Sequence, residues 1–122
     1  MSRDPLRIAV VDDDEPVCRA MTRVLSLAGY RVSSFRSAEA FLSSVGVPEF
    51  SCLLLDLRLP EMQGVDLLQR LRSTNRSLPV VLITSDQDLA NSPEVTRWGL
   101  TCLVKPVDEQ ALFDAIAGAS RE

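Results

Sequence analysis

The chain has 122 residues, the size of one domain around one hydrophobic core, and it holds no apolar run long enough to span a membrane. Its 13 basic and 17 acidic residues leave a formal net charge of −4, with the basic ones dispersed. That pattern excludes the counterion-displacing face of a duplex-binding protein, so no direct contact with nucleic acid is expected from this segment. There is no histidine at all, which removes Ser-His-Asp and Cys-His catalysis, imidazole zinc sites and any role as a phosphohistidine donor.

In chain order, residues 1–5 form a short leader without the basic, apolar and small-residue blocks of a secretory signal, so cytoplasmic residence is expected. Five β-type runs then alternate with five segments of helical period. The runs are Leu6–Val11, Tyr30–Phe35, Cys52–Leu55, Leu78–Ile83 and Thr101–Val104. The first, third and fourth are nearly continuous apolar runs, as expected of parallel strands buried on both faces, while the second reads as an edge strand. Asp14 or Glu15 is placed to cap the first helix, with Pro16 near its start and Gly29 at its close. Along that helix Val17, Ala20, Met21, Val24 and Leu25 share a face. Ser37 opens a second short helix, Val65, Leu67, Leu68 and Leu71 mark the third, and Leu112, Ala115, Ile116 and Ala119 mark the last. Between Asp88 and Arg97 the sequence Asn91-Ser92-Pro93 predicts a fourth helix that starts late or is kinked, because proline is tolerated only in the first turn. The alternation implies one α/β domain over residues 1–122 with a doubly wound parallel sheet, residues 120–122 being a point where a longer protein would have been cut. Cys18, Cys52 and Cys102 are far apart and read as small buried hydrophobes.

In such a sheet, ligands sit beyond the carboxyl ends of the strands where strand order reverses. Asp12 and Asp13 end the first predicted strand and Asp56 ends the third. If those strands are neighbours, the carboxylates repel one another unless a cation joins them, and magnesium suits a site of carboxylates and phosphate oxygens. The run Asp12-Asp13-Asp14-Glu15 equally fits helix capping and the helix dipole, which is the reading for Asp14 and Glu15. Asp56 also has a bland reading as a solvated strand-end charge. Thr84 ends the fourth strand and Lys105 the fifth, before Pro106. Each has an ordinary explanation by itself, yet a hydroxyl and an ammonium there would bind the oxygens of a tetrahedral anion at Asp56.

Together Val10-Val11-Asp12-Asp13-Asp14-Glu15, Leu54 through Gly64 with Asp56 and Pro60-Glu61-Met62, Ile83-Thr84-Ser85 and Val104-Lys105-Pro106 resemble the receiver domain of two-component response regulators. The resemblance spans nearly the whole chain. Ser37 through Leu42 and Asp56 through Leu68 are most similar to the nitrogen-fixation regulator branch, whose receivers usually precede a helix-turn-helix output domain. The resemblance implies a flavodoxin-like strand order 2-1-3-4-5 with helices on both faces. It also implies phosphoryl transfer from a sensor histidine kinase to Asp56, with the domain promoting its own phosphorylation and slow hydrolysis to switch an output, transcription among them. Asp13, Asp56 and the backbone carbonyl of Arg58 would ligate magnesium, Asp12 would act through a bound water, Thr84 and Lys105 would contact the phosphoryl oxygens, and the Lys105-Pro106 bond would be cis.

The chain also departs from the family. Cys102 stands where an aromatic residue is usual, Pro93 interrupts the fourth helix, and Trp98 precedes Gly99 where a small residue is common. These changes fall on the face family members use for output or for a phosphorylation-dependent homodimer, so ordinary chemistry with an altered output surface is expected. Arg58 and Asp86, two residues after Asp56 and Thr84, invite an ion pair across the site mouth that would control access to it. Two other functions stay open: a magnesium-dependent phosphatase, against which Arg58 stands where a second acid is needed, and a binding module that no longer cycles phosphate.

Overall fold

A computed structural model describes residues 6–44, 50–59, 62–73 and 78–119. Residues 1–5 and 120–122, and with them the leader and the cut point, lie outside these. The strands are β1 (Arg7–Val11), β2 (Arg31–Phe35), β3 (Cys52–Asp56), β4 (Val80–Thr84) and β5 (Cys102–Val104). They form one parallel sheet in the order β2-β1-β3-β4-β5. The helices are α1 (Glu15–Leu27), α2 (Ala38–Ser44), α3 (Gly64–Ser73), α4 (Gln87–Ala90), α5 (Pro93–Thr96) and α6 (Glu109–Ala119).

The continuous apolar runs are explained by burial on both faces of the sheet. Successive strand residues point to opposite sides. Ile8, Val10, Cys52, Leu54, Val81 and Ile83 join Cys18, Met21 and Leu25 of α1 and Leu112, Ala115 and Ile116 of α6 in one core layer. Ala9, Val11, Leu53, Leu55, Val80 and Leu82 join Phe41 of α2, Leu67, Leu68 and Leu71 of α3 and Val95 of α5 in the other. Strand β2 has a neighbour on one side only and is half-buried, which fits its mixed composition.

The punctuation acts as its residue types dictate. Asp14 caps α1 by accepting a hydrogen bond from the Val17 N–H, Ser37 accepts one from the Ala40 N–H at the start of α2, and Gly29 takes a φ of +101° after α1. On α1 the buried stripe runs through Cys18, Met21 and Leu25, whereas Ala20, expected on that face, is exposed. A single methyl gives the fold little reason to turn it inward. The interrupted fourth helix is two one-turn helices: α4 ends at Asn91, and Pro93 opens α5 where its missing N–H costs nothing. Cys18 and Cys52 are buried and Cys102 is half-buried, and all three are free thiols. Burial pushes Cys18 up to about 11 and Cys52 up to about 12, so both stay protonated and unreactive at neutral pH. Among the described residues no helix is long and apolar enough to cross a membrane.

Candidate phosphoacceptor site

The strand order does the assembling. Pairing of Val11 with Leu55 places Asp12, the residue after β1, beside Asp56, the last residue of β3. On the other side of Asp56 the strand β4 ends in Thr84, whose carbonyl accepts from the Lys105 N–H at 2.8 Å just beyond β5. Four strand ends therefore deliver a carboxylate pair, a single carboxylate, a hydroxyl and an ammonium to one crevice, at the point where the chain reverses its winding direction.

Asp12 and Asp56 are buried, at 1% and 5% exposure, which is costly for carboxylates unless charge or hydrogen bonds compensate. Asp12 accepts from the Asp14 N–H through Oδ1 at 2.9 Å, and its own N–H donates to the Phe35 carbonyl. Asp56 accepts from the Arg58 N–H through Oδ1 at 2.9 Å and from the Lys105 ammonium through Oδ2 at 3.1 Å. Lys105 Nζ also lies 2.9 Å from Asp12 Oδ2. That second contact is an ion pair. One ammonium thus spans two acids from different strands.

Oxygen atoms of Asp12, Asp13 and Asp56 all lie within 4.8 Å of one another, with Asp13 facing solvent. Desolvation, reinforced by the neighbouring Asp12, raises the Asp56 carboxyl to about 6, and the Arg58 N–H and Lys105 only partly oppose it. Burial pulls the Lys105 ammonium down, but the close carboxylates of Asp12 and Asp56 outweigh it and the net shift is upward. The ammonium therefore stays charged at neutral pH.

The remaining groups flank this cluster. Thr84 is fully buried, and its Oγ1 accepts from the Asp86 N–H at 3.1 Å, which leaves the hydroxyl proton available to donate. The expected Arg58–Asp86 ion pair is present across the site mouth, and Asp86 also caps α4 by accepting from the Leu89 N–H at 3.1 Å. The Leu89 N–H and then Arg58 hold the Asp86 carboxyl below the usual range. The Lys105-Pro106 bond is cis. Cys102 is the first residue of the edge strand β5, and it and Trp98 pack partly buried against the layer of α2, α3 and α5, the Trp98 indole N–H being unpaired.

Three features were not anticipated from the residues. The first is the bridging of both acids by Lys105. The second is a hydrogen bond from the Cys18 thiol to the Asp12 carbonyl at 3.0 Å, which ties α1 to the acidic turn. The third is Gly64: a Cβ there would lie 2.7 Å from the Asp56 carbonyl oxygen and 2.8 Å from Leu57 Cα, so only glycine lets α3 start against the backbone of the acid. Its position eight residues after Asp56 in the quoted motif was the available signal.

Comparison with known proteins agrees with this fold. The profile of the response regulator receiver domain matches residues 8–117. Response regulator protein TmoT of Ectopseudomonas mendocina is 35% identical over 113 residues, covering 92% of this chain and 51% of that protein. Transcriptional regulatory protein FixJ of Rhizobium meliloti (strain 1021) is 33% identical over 114 residues, covering 93% of this chain and 56% of that protein. The chain thus spans about half the length of the curated relatives it matches. The solved signal receiver domain of an HD domain-containing protein from Pseudomonas fluorescens Pf-5 superposes with a TM-score of 0.88 at 27% identity, covering 99% of this chain and 90% of that one.

Proposed function

The chain belongs to the response regulator receiver domain family, and from that premise we propose that it is a phosphoacceptor switch with Asp56 as the acceptor. Receiver domains take phosphate from histidine kinases, and a chain without histidine needs such an external donor. The observation that carries the reading is the Lys105 ammonium held between buried Asp12 and Asp56 at adjacent strand ends. It partly offsets the burial that raises the acceptor's carboxyl and places a cation where phosphoryl charge would develop.

Asp13, Asp56 and the Arg58 backbone carbonyl would hold a magnesium ion, with Asp12 acting through water. The three carboxylates within 4.8 Å fit a hard divalent cation. When bound, the ion supplies charge neutralisation and alignment of the phosphoryl oxygens. An Asp56 oxygen attacks phosphorus as the donor's P–N bond breaks, and the released electron pair goes to the imidazole nitrogen, which takes a proton from water. Lys105 and the Thr84 hydroxyl donate to the phosphoryl oxygens. In the slow return step water attacks phosphorus, the P–O bond to Asp56 breaks with its electrons returning to the carboxylate, and inorganic phosphate leaves. The chain signals by its own modification and turns over no separate substrate. Free thiols at Cys18, Cys52 and Cys102 accord with residence in the reducing cytoplasm.

An aspartyl phosphate is an acyl phosphate, so its chemistry distinguishes it from a phosphoester. Protein treated with acetyl phosphate and magnesium is expected to carry hydroxylamine-labile phosphate on the peptide containing Asp56. Hydroxylamine-stable phosphate on serine or threonine would contradict the proposal.

A further inference from the structure

We propose that Cys18 is a positioning residue for the divalent cation, its thiol holding the Asp12-Asp13 peptide so that the Asp13 carboxylate stays within reach of Asp56; this rests on the phosphoacceptor reading above. The acidic turn is short, since β1 ends at Val11 and α1 starts at Glu15. Within it Asp12 is held at every polar group. Its N–H donates to the Phe35 carbonyl at 3.0 Å, its Oδ1 accepts from the Asp14 N–H at 2.9 Å, its Oδ2 pairs with Lys105, and its carbonyl accepts from the Cys18 thiol at 3.0 Å. Asp13 is the exposed member of the three clustered carboxylates, so packing does not fix it and its direction comes from the backbone that carries it.

The sequence explains why a side chain has this task. The donors of the first turn of α1 serve Asp14 instead: its Oδ1 takes the Val17 N–H and its carbonyl takes the Cys18 N–H, while Pro16 has no N–H to give. Among the described residues no backbone N–H donates to the Asp12 carbonyl. A buried carbonyl left without a partner is costly, and the Cys18 thiol, one turn into the helix, supplies the donor. Because the peptide is planar, fixing its oxygen also fixes the direction in which the chain leaves towards the Asp13 Cα.

Cys18 also fills space, in the core layer that holds Ile8, Val10, Met21 and Leu25. Cys52 lies in the same layer and provides an internal contrast. It is fully buried, yet its thiol reaches only the carbonyl of the next residue, Leu53, at 4.0 Å, and it stands at the opposite end of β3 from Asp56. If packing were the whole task of a buried thiol here, the two cysteines would behave alike on replacement. A positioning role sets Cys18 apart.

Magnesium titrations followed by amide NMR give a dissociation constant without any phosphoryl donor. Cys18→Ala and Cys18→Val, one smaller and one fuller than cysteine, both lack the donor and are expected to weaken magnesium binding by about threefold to tenfold, the range that one neutral hydrogen bond supports. Cys18→Ser, whose hydroxyl still donates, should stay within about twofold of the wild type. Cys52→Ala should lower the denaturation midpoint and leave the magnesium constant unchanged. Phosphorylation by acetyl phosphate, read by intact mass, should show the Cys18→Ala and Cys18→Val losses as a higher magnesium requirement, with the saturated rate within about twofold of the wild type. Wild-type protein that takes up no phosphoryl group overturns the phosphoacceptor reading and this role with it. Folded Cys18→Ala or Cys18→Val with wild-type magnesium binding, Cys18→Ser as weak as those two, or an equal loss in Cys52→Ala overturns the positioning role alone.

Discussion

Asp56 sits where a charge is least welcome and most useful. Burial raises its carboxyl from the ordinary 3.8 to about 6, so without metal the folded domain holds a proton there that the unfolded chain has already released. Stability therefore falls as pH rises through that window and stays lower above it. Asp56→Asn, which never ionises, is expected to be more stable than the wild type at pH 7 in a chelator by about 1–3 kcal/mol, the difference vanishing near pH 4. Equal denaturation midpoints at pH 7 would contradict this. Arg58 and Asp86 act at the mouth with opposite charge. Arg58→Ala should shorten the lifetime of the phosphorylated form by roughly threefold or more, since a cation that attracts phosphoryl oxygens and blocks water is lost. Asp86→Asn should lengthen it, because Arg58 then has no competing carboxylate. The exposed pair adds little to stability, so equal half-lives in all three proteins, followed by loss of label, would count against the gate.

The elements show how far sequence carries and where it stops. The strand ends holding Asp12, Asp56 and Thr84 were legible because strands buried on both faces are continuous apolar runs whose first polar residue is conspicuous, whereas Lys105 follows the short, half-buried β5 and was marked by Pro106 after it. Pro93 announced the break in the fourth helical segment, but not that both halves would shrink to one turn. That depends on Asp86 and Ser92 taking the two cap positions. Ala20 misled because periodicity assigns a face without weighing how little a methyl gains from burial. The ammonium bridge was not legible, since it depends on the register that sets β1 and β5 on either side of the central strands. Gly64 stayed hidden because its φ is unremarkable and its constraint is space against the Asp56 backbone. Gly64→Ala is expected to destabilise by about 1–3 kcal/mol through overpacking and to slow phosphorylation by displacing the loop that carries Arg58. Gly118→Ala, which meets nothing within 4 Å on α6, should be neutral or stabilising by roughly 0.5–1 kcal/mol. Thermal melts and phosphorylation rates of the two variants, measured side by side, check the contrast, and matching behaviour would remove the positioning role.

At the scale of the whole molecule, the sheet provides a rigid floor and the loops at its carboxyl edge provide the chemistry. The floor is stiff because its three central strands are sealed between two helical layers, one of α1 and α6 and the other of α2, α3 and α5. Rigidity matters because the acceptor, hydroxyl and ammonium come from different strands, and their mutual placement survives only if the register does. By contrast the α4 and α5 side of the domain is built from single turns, so it is the part most easily changed by events at the site. The direct test is intact-mass analysis after incubation with acetyl phosphate, with and without magnesium, comparing the wild type with Asp56→Asn. One phosphoryl group gained by the wild type alone, and only with magnesium, is the predicted result. No gain by folded wild-type protein, or equal gain by Asp56→Asn, would contradict the assignment of Asp56 as the acceptor.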